Sequence, residues 1–188
     1  MRDNTNISKT RRKLIISGVL LTLMFSLKGI AYRLLVNYTP IDIRKNIELN
    51  DEQIILEVNN RIKGQDLSIR EIITISNDIT CNTLTFTFKP SSEISTENRA
   101  NCIGYSSRFN SIGNYILTQR RMSSKYEFNH LVGEIDLLGY NIHHLFNSSF
   151  FKDHDYIGVR QKFNGETLFI DPSLSDYTGI DFVSSKAR

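Results

Sequence analysis

Residues 153–177, DHDYIGVRQKFNGETLFIDPSLSDY, constrain the chain more than any other stretch. An alternating run turns at Asn164-Gly165 and continues through Leu168-Phe169-Ile170 into Asp171-Pro172, the pattern of a β-hairpin. Side chains alternate across a strand. His154 and Tyr156 therefore point one way on the first arm, and Ile157, Val159 and Phe163 the other. With an even-length loop, Asp171 and Phe169 fall on the His154 face, and Leu168 and Ile170 on the apolar face. Register depends on the loop. A two-residue Asn-Gly turn pairs Asp171 with Gly158, beyond the reach of His154. A four-residue loop over 162–165 pairs Asp171 with Tyr156 and sets the carboxylate diagonally beside the imidazole. The wider loop is the one expected here.

Upstream, the periodicity is helical. Ile54, Ile55, Val58 and Ile62 recur at helical spacing after Asn50 and Asp51, either of which can cap. A second helix is predicted within 67–81, and LTFTF (84–88) reads as extended. Pro90 and the polar residues 91–99 form a loop. Cys102, Tyr105, Phe109, Ile112 and Ile116 follow one another by three or four residues and share one face of a helix over 102–118. Asn101 is its N-cap, and Gly113 weakens its far half. Residues 126–146 carry one or two strands. Helices first and antiparallel strands after give an α+β class, in a chain whose 188 residues suit one domain with a short appendage.

The appendage is the N-terminus. Residues 1–13 hold five basic residues and one acidic, while the 18 basic and 19 acidic residues beyond them nearly cancel. Phosphate recognition needs clustered Lys and Arg, so nucleic acid is not expected as a partner. The basic start leads into LIISGVLLTLMFSL (14–27), fourteen uncharged and mostly apolar residues. This reads as a signal anchor over 14–36, projecting from the domain, or as a secretion signal cleaved near Gly29-x-Ala31. Residues 37–48, with Pro40, read as a tether, and 49–188 as the domain. The domain is then exported, held to a membrane by its N-terminal helix or secreted.

His154 and Asp171 on one face call for a nucleophile, and Cys102 at a helix start is the candidate. Helix N–H groups and an imidazole both favour thiolate there. Cys102 would attack a carbonyl, His154 would carry the proton, and Asp171 would fix the imidazole tautomer. The backbone N–H of Cys102 supplies part of an oxyanion hole. Two alternatives stay open at Cys102: a buried core thiol, and a disulfide with Cys81. His143-His144 lies near His154, but no zinc-ligand spacing appears, so neither metal nor cofactor is expected.

The order Cys102, His154, Asp171, in NCIGYSS, HDYIGV and LFIDPSLSD, resembles that of the transglutaminase-like superfamily over roughly residues 50–177. The resemblance implies a transglutaminase-like, cysteine-proteinase fold, with N-terminal helices packed on an antiparallel sheet and a membrane helix ahead of them. It also implies a thiol enzyme acting on amide or peptide bonds of a protein or peptide substrate through an acyl-enzyme. The chain departs from the family pattern in two places. Ala100-Asn101 precedes the cysteine where glycine is common, and Tyr156 stands where the aromatic is often Trp. The alternatives are an inactive binding or scaffold module on the same fold and a different Cys-His-Asp acyltransferase.

Overall fold

The computed structural model describes residues 15–18, 22, 27–88, 98–148 and 151–185. After the helical residues 27–35, three longer helices among the described residues precede most of the sheet. α1 (Glu52–Ile62) starts at Asp51, whose carboxylate accepts the N–H groups of Gln53 and Ile54. α2 (Ile69–Thr83) starts with a reciprocal capping box between Ser68 and Glu71. α3 (Cys102–Gln119) is capped by Asn101. Gly113 does not end α3. A β-carbon there would sit 2.4 Å from the Phe128 ring, so the missing side chain lets helix and strand approach.

The strands are β1 (Val36–Arg44), β2 (Thr85–Phe86), β3 (Arg99–Ala100), β4 (Tyr126–Leu137), β5 (Tyr140–Asn141), β6 (His154–Gln161), β7 (Thr167–Ile170) and β8 (Phe182–Ser185), with α4 (Pro172–Thr178) between the last two. β2 and β3 form a small parallel ladder of their own. The main sheet runs β1-β8-β7-β6-β4-β5, and β1 also pairs with β4. Five strands thus close into a barrel, giving a mixed α/β fold. One face gathers Val36, Tyr38, Leu131, Tyr156 and Val183 inside the barrel. The other packs Phe128, Ile157, Val159 and Ile170 against the helices.

This corrects the expected fold class, in which helices on an antiparallel sheet follow a membrane helix. The stretch read as a tether contains β1, antiparallel to β4 and parallel to β8. Parallel pairing needs no adjacent turn, so nothing local announces it. Pro40, which argued against a strand, sits at a bulge where the register shifts between Pro40 and Asp42, a position that tolerates proline.

The membrane helix is corrected as well. Among the described residues no helix is long and apolar enough to cross a membrane. Within 14–36, residues 14, 19–21 and 23–26 lie outside the described residues. Residues 27–35 are helical and do not project from the domain. The Lys28 ammonium donates to the Thr178 carbonyl. The Ser184 hydroxyl donates to the Arg33 carbonyl at 2.9 Å, and Tyr32 packs against the barrel interior.

Candidate active site

β6 and β7 pair Ile157 with Ile170 and Gly158 with Phe169. That register belongs to the four-residue loop, closed by the Gln161 N–H on the Glu166 carbonyl at 2.8 Å. Phe163 lies within the loop and is exposed, so it does not join the apolar face. The same register brings Asp171 diagonally to His154, and His154 Nε2 lies 2.7 Å from Asp171 Oδ2.

Asp171 ends β7 and caps α4. Its Oδ1 accepts the Leu174 N–H at 3.0 Å and the Ser173 hydroxyl at 2.7 Å. Its Oδ2 accepts the Tyr38 hydroxyl, also at 2.7 Å. Pro172 at the first helical position has no N–H to leave unpaired. Burial works to raise this carboxyl, but the His154 charge and hydrogen bond, helped by Leu174 and Ser173, bring it down to about 2. For His154 burial opposes the charged form. The Asp171 charge and hydrogen bond, and then Cys102, outweigh it and hold the imidazole well above its usual value. The Cys102 thiol is close enough to the ring to take part in raising it. With Nε2 on Asp171, Nδ1 is the nitrogen left for a thiol.

The Cys102 side chain sits at the first residue of α3, 8% exposed, and both cysteines are free thiols. Cys81 is a different kind of thiol. It touches the Asn77 carboxamide and the Pro172 carbonyl, and burial, then Asp176, Asp78 and Asp181, push it up to about 12. His143 is buried, with Nδ1 2.6 Å from the Phe151 carbonyl. No cluster of His, Cys, Asp or Glu fit to hold a metal occurs among the described residues.

Sequence reasoning missed two groups beside the three predicted residues. Tyr38, on β1, donates to Asp171, and the Tyr32 hydroxyl lies 2.9 Å from that of Tyr38. Burial, and then the negative charge of Asp171, keep Tyr38 protonated. The alternation Val36-x-Tyr38 was the available signal, hidden by the tether reading. Arg44, Asp155 and His130 form the second group. Arg44 Nε donates to Asp155 Oδ1 at 2.5 Å, and His130 Nε2 lies 2.8 Å from the same oxygen. Burial would raise Asp155, but the bonds to His130 and Arg44 lower it. Arg44 is also near enough to Cys102 to feel its charge. Strand parity places Asp155 on the apolar face with Ile157 and Val159, where a carboxylate requires partners, and that was the signal available.

No family model, no curated protein and no solved structure matches this chain.

Proposed function

We propose that this protein is a thiol enzyme acting on amide or peptide bonds through an acyl-enzyme on Cys102. One observation carries the reading: Asp171 holds His154 on Nε2, and the Cys102 thiol at the start of α3 is close enough to the same ring to help raise it. In the proposed cycle the Cys102 thiolate attacks the substrate carbonyl carbon while the imidazolium keeps the proton at Nδ1. Asn101 takes the N–H groups of Ile103 and Gly104. The Cys102 N–H is not one of these, and it is the donor offered to the developing oxyanion. Collapse breaks the carbon–nitrogen bond, and the amine leaves with the His154 proton. Water or an amine then attacks the thioester, His154 takes up its proton, and the thiolate is released. Hydrolysis, deamidation and amine transfer share this intermediate.

The likeness to the transglutaminase-like superfamily supports this proposal through the order of the three residues alone, because the fold expected with it is corrected. Export of the domain, read from residues 1–27, belongs to the same proposal and is tested by protease accessibility in intact cells. The small exposure of Cys102 favours a second reading, a binding or scaffold module in which the three residues are inert.

An alkylation series separates the two. Iodoacetamide should label Cys102, and His154→Ala should change how the rate of labelling depends on pH. A p-nitrophenyl ester should release one equivalent of nitrophenol in a burst and leave an acyl adduct on Cys102. Wild type, Asp171→Asn and His154→Ala sharing one pH curve, with no burst, would leave only the inert module.

A further inference from the structure

The barrel end where β4 turns into β5 carries apolar side chains that the described fold does not cover. Helical residues 27–35 expose Leu27, Ile30 and Leu34, spaced along one side of the helix, with Leu34 at 76%. Tyr32, on the opposite side, packs into the domain. The Leu138 N–H donates to the Leu35 carbonyl at 2.8 Å, and Val36 pairs with Leu137, so this helix and the β4–β5 turn form one rim. At the turn Leu138 is 67% exposed and Tyr140 81%. A helix that buries a tyrosine and shows leucines outward is inverted for contact with water.

The turn supplies a second observation. Leu137 pairs with Tyr140 across two residues, Leu138 at φ 53° and Gly139 at φ 87°. Two positive φ angles make a type I′ turn, which favours Asn-Gly. Here a leucine holds the left-handed conformation, and no burial within the described fold compensates it.

We propose that this rim rests in the headgroup and acyl boundary of a lipid bilayer, as an interfacial contact and not a span. The covalent chain points to that occupant. Leu27, on the rim, is the last residue of the uncharged run 14–27, and Lys9, Arg11, Arg12 and Lys13 lie just ahead of that run. An apolar segment flanked by cations suits an anionic lipid surface. The rim extends that surface onto the folded domain. His154 pairs opposite Gly133, four residues along β4 from Leu137, so the candidate site lies roughly 13 Å from the rim at ~3.3 Å per residue. Taken with the thiol-enzyme reading, on which this clause alone rests, the geometry favours peptides at the bilayer surface as substrates.

The chain contains no tryptophan, so full-length protein carrying Tyr140→Trp has a single reporter. Phe163→Trp, in the exposed β6–β7 loop at the far end of β6, is the control. Vesicles of phosphatidylcholine and phosphatidylglycerol should shift the Tyr140→Trp emission to the blue, and brominated acyl chains should quench it, while the Phe163→Trp emission stays unchanged. Leu138→Asn should weaken vesicle partitioning by about tenfold and raise resistance to unfolding, because Asn-Gly suits the turn. That opposite movement is not expected of a merely structural leucine. An unshifted Tyr140→Trp emission overturns the proposal, even if the chain floats with the vesicles. So does emission already blue in buffer and insensitive to vesicles, since the rim would then be covered by residues 1–26 or by a second copy. Neither result touches the thiol-enzyme reading, which is tested by Cys102 labelling.

Discussion

Asp171→Asn keeps the volume of the side chain but cannot keep its bonding. Four groups donate to the carboxylate: the Leu174 N–H and Ser173 hydroxyl to Oδ1, and the Tyr38 hydroxyl and His154 Nε2 to Oδ2. A carboxamide offers one acceptor oxygen and an NH2 that only donates. With the oxygen toward α4, the NH2 faces His154, whose Nε2 must give up its proton. With the oxygen toward His154, the NH2 faces the Leu174 N–H and the cap is lost. A lost cap costs about 1 kcal/mol, and a lost hydrogen bond to a charged group about 1.5–3 kcal/mol. The expected destabilisation near neutral pH is therefore about 2 kcal/mol, from whichever of these bonds the carboxamide gives up, although volume alone would suggest almost none. The sign with pH is fixed. Asp171 is lowered to about 2 in the folded state, so its contribution is present above the ordinary carboxyl range and lost as pH falls toward 2. His154 is raised, so its contribution is whole below about 6.5 and fades as pH climbs through the raised value. Guanidinium unfolding of both proteins at pH 3, 5 and 7 reads this out. The gap should be wide at pH 5 and narrower at pH 3. A gap below about 1 kcal/mol at every pH would refute the four-donor account.

Three shorter predictions stand beside it. Tyr38→Phe removes one donor from the Asp171 carboxylate and should cost about 1–2 kcal/mol above pH 4; chemical denaturation checks it, and the loss should shrink toward pH 2. At pH 8, a Cys81 thiol raised to about 12 is thiolate in only about one molecule in 10⁴, so peptide mapping of limited alkylation should find label on Cys102 alone. Gly113→Ala drives a methyl group into the Phe128 ring and should cost about 1–3 kcal/mol, seen as a lower denaturation midpoint with an unchanged slope.

The parts of this molecule that were legible are those written in local periodicity. The stripe from Cys102 to Ile116 is buried throughout, because three- and four-residue spacing leaves one face for the sheet. The hairpin register followed from parity and loop length, and with it the approach of His154 to Asp171. Barrel closure had no such signal. It depends on a strand containing proline, on the four-residue β8 near the chain's end, and on a parallel pair between them. The partners of Asp171 and Asp155 were missed for the same reason. Tyr38 and Arg44 both lie on β1, so the strand that closes the barrel also completes both polar clusters.

β1 reaches both clusters only because of its bulge. Tyr38 lies opposite Ile135 on β4, and Arg44 opposite His130. Ile135 and His130 are five residues apart, so they stand on opposite faces of β4. Directly paired side chains share a face, so Tyr38 and Arg44 also point to opposite sides. Yet they are six residues apart, an even spacing that a regular strand would put on one side. The unpaired Ile41 between Pro40 and Asp42 reverses the parity. Tyr38 thereby enters the barrel to meet Asp171, and Arg44 turns outward to Asp155. Deleting Ile41 should restore regular parity and sever one of the two. If β1 keeps its early register, Asp155 and His130 lose Arg44, which leaves a buried carboxylate short of a cation at a cost of about 3 kcal/mol or more. If it keeps its late register, Asp171 loses Tyr38. Ile41→Ala, by contrast, removes a half-exposed side chain and keeps the bulge, so it should stay within about 1 kcal/mol of wild type. Denaturation of both variants, with the Cys102 alkylation profile, measures the difference. A deletion no more costly than the alanine substitution would mean that the bulge does not set which cluster each side chain reaches.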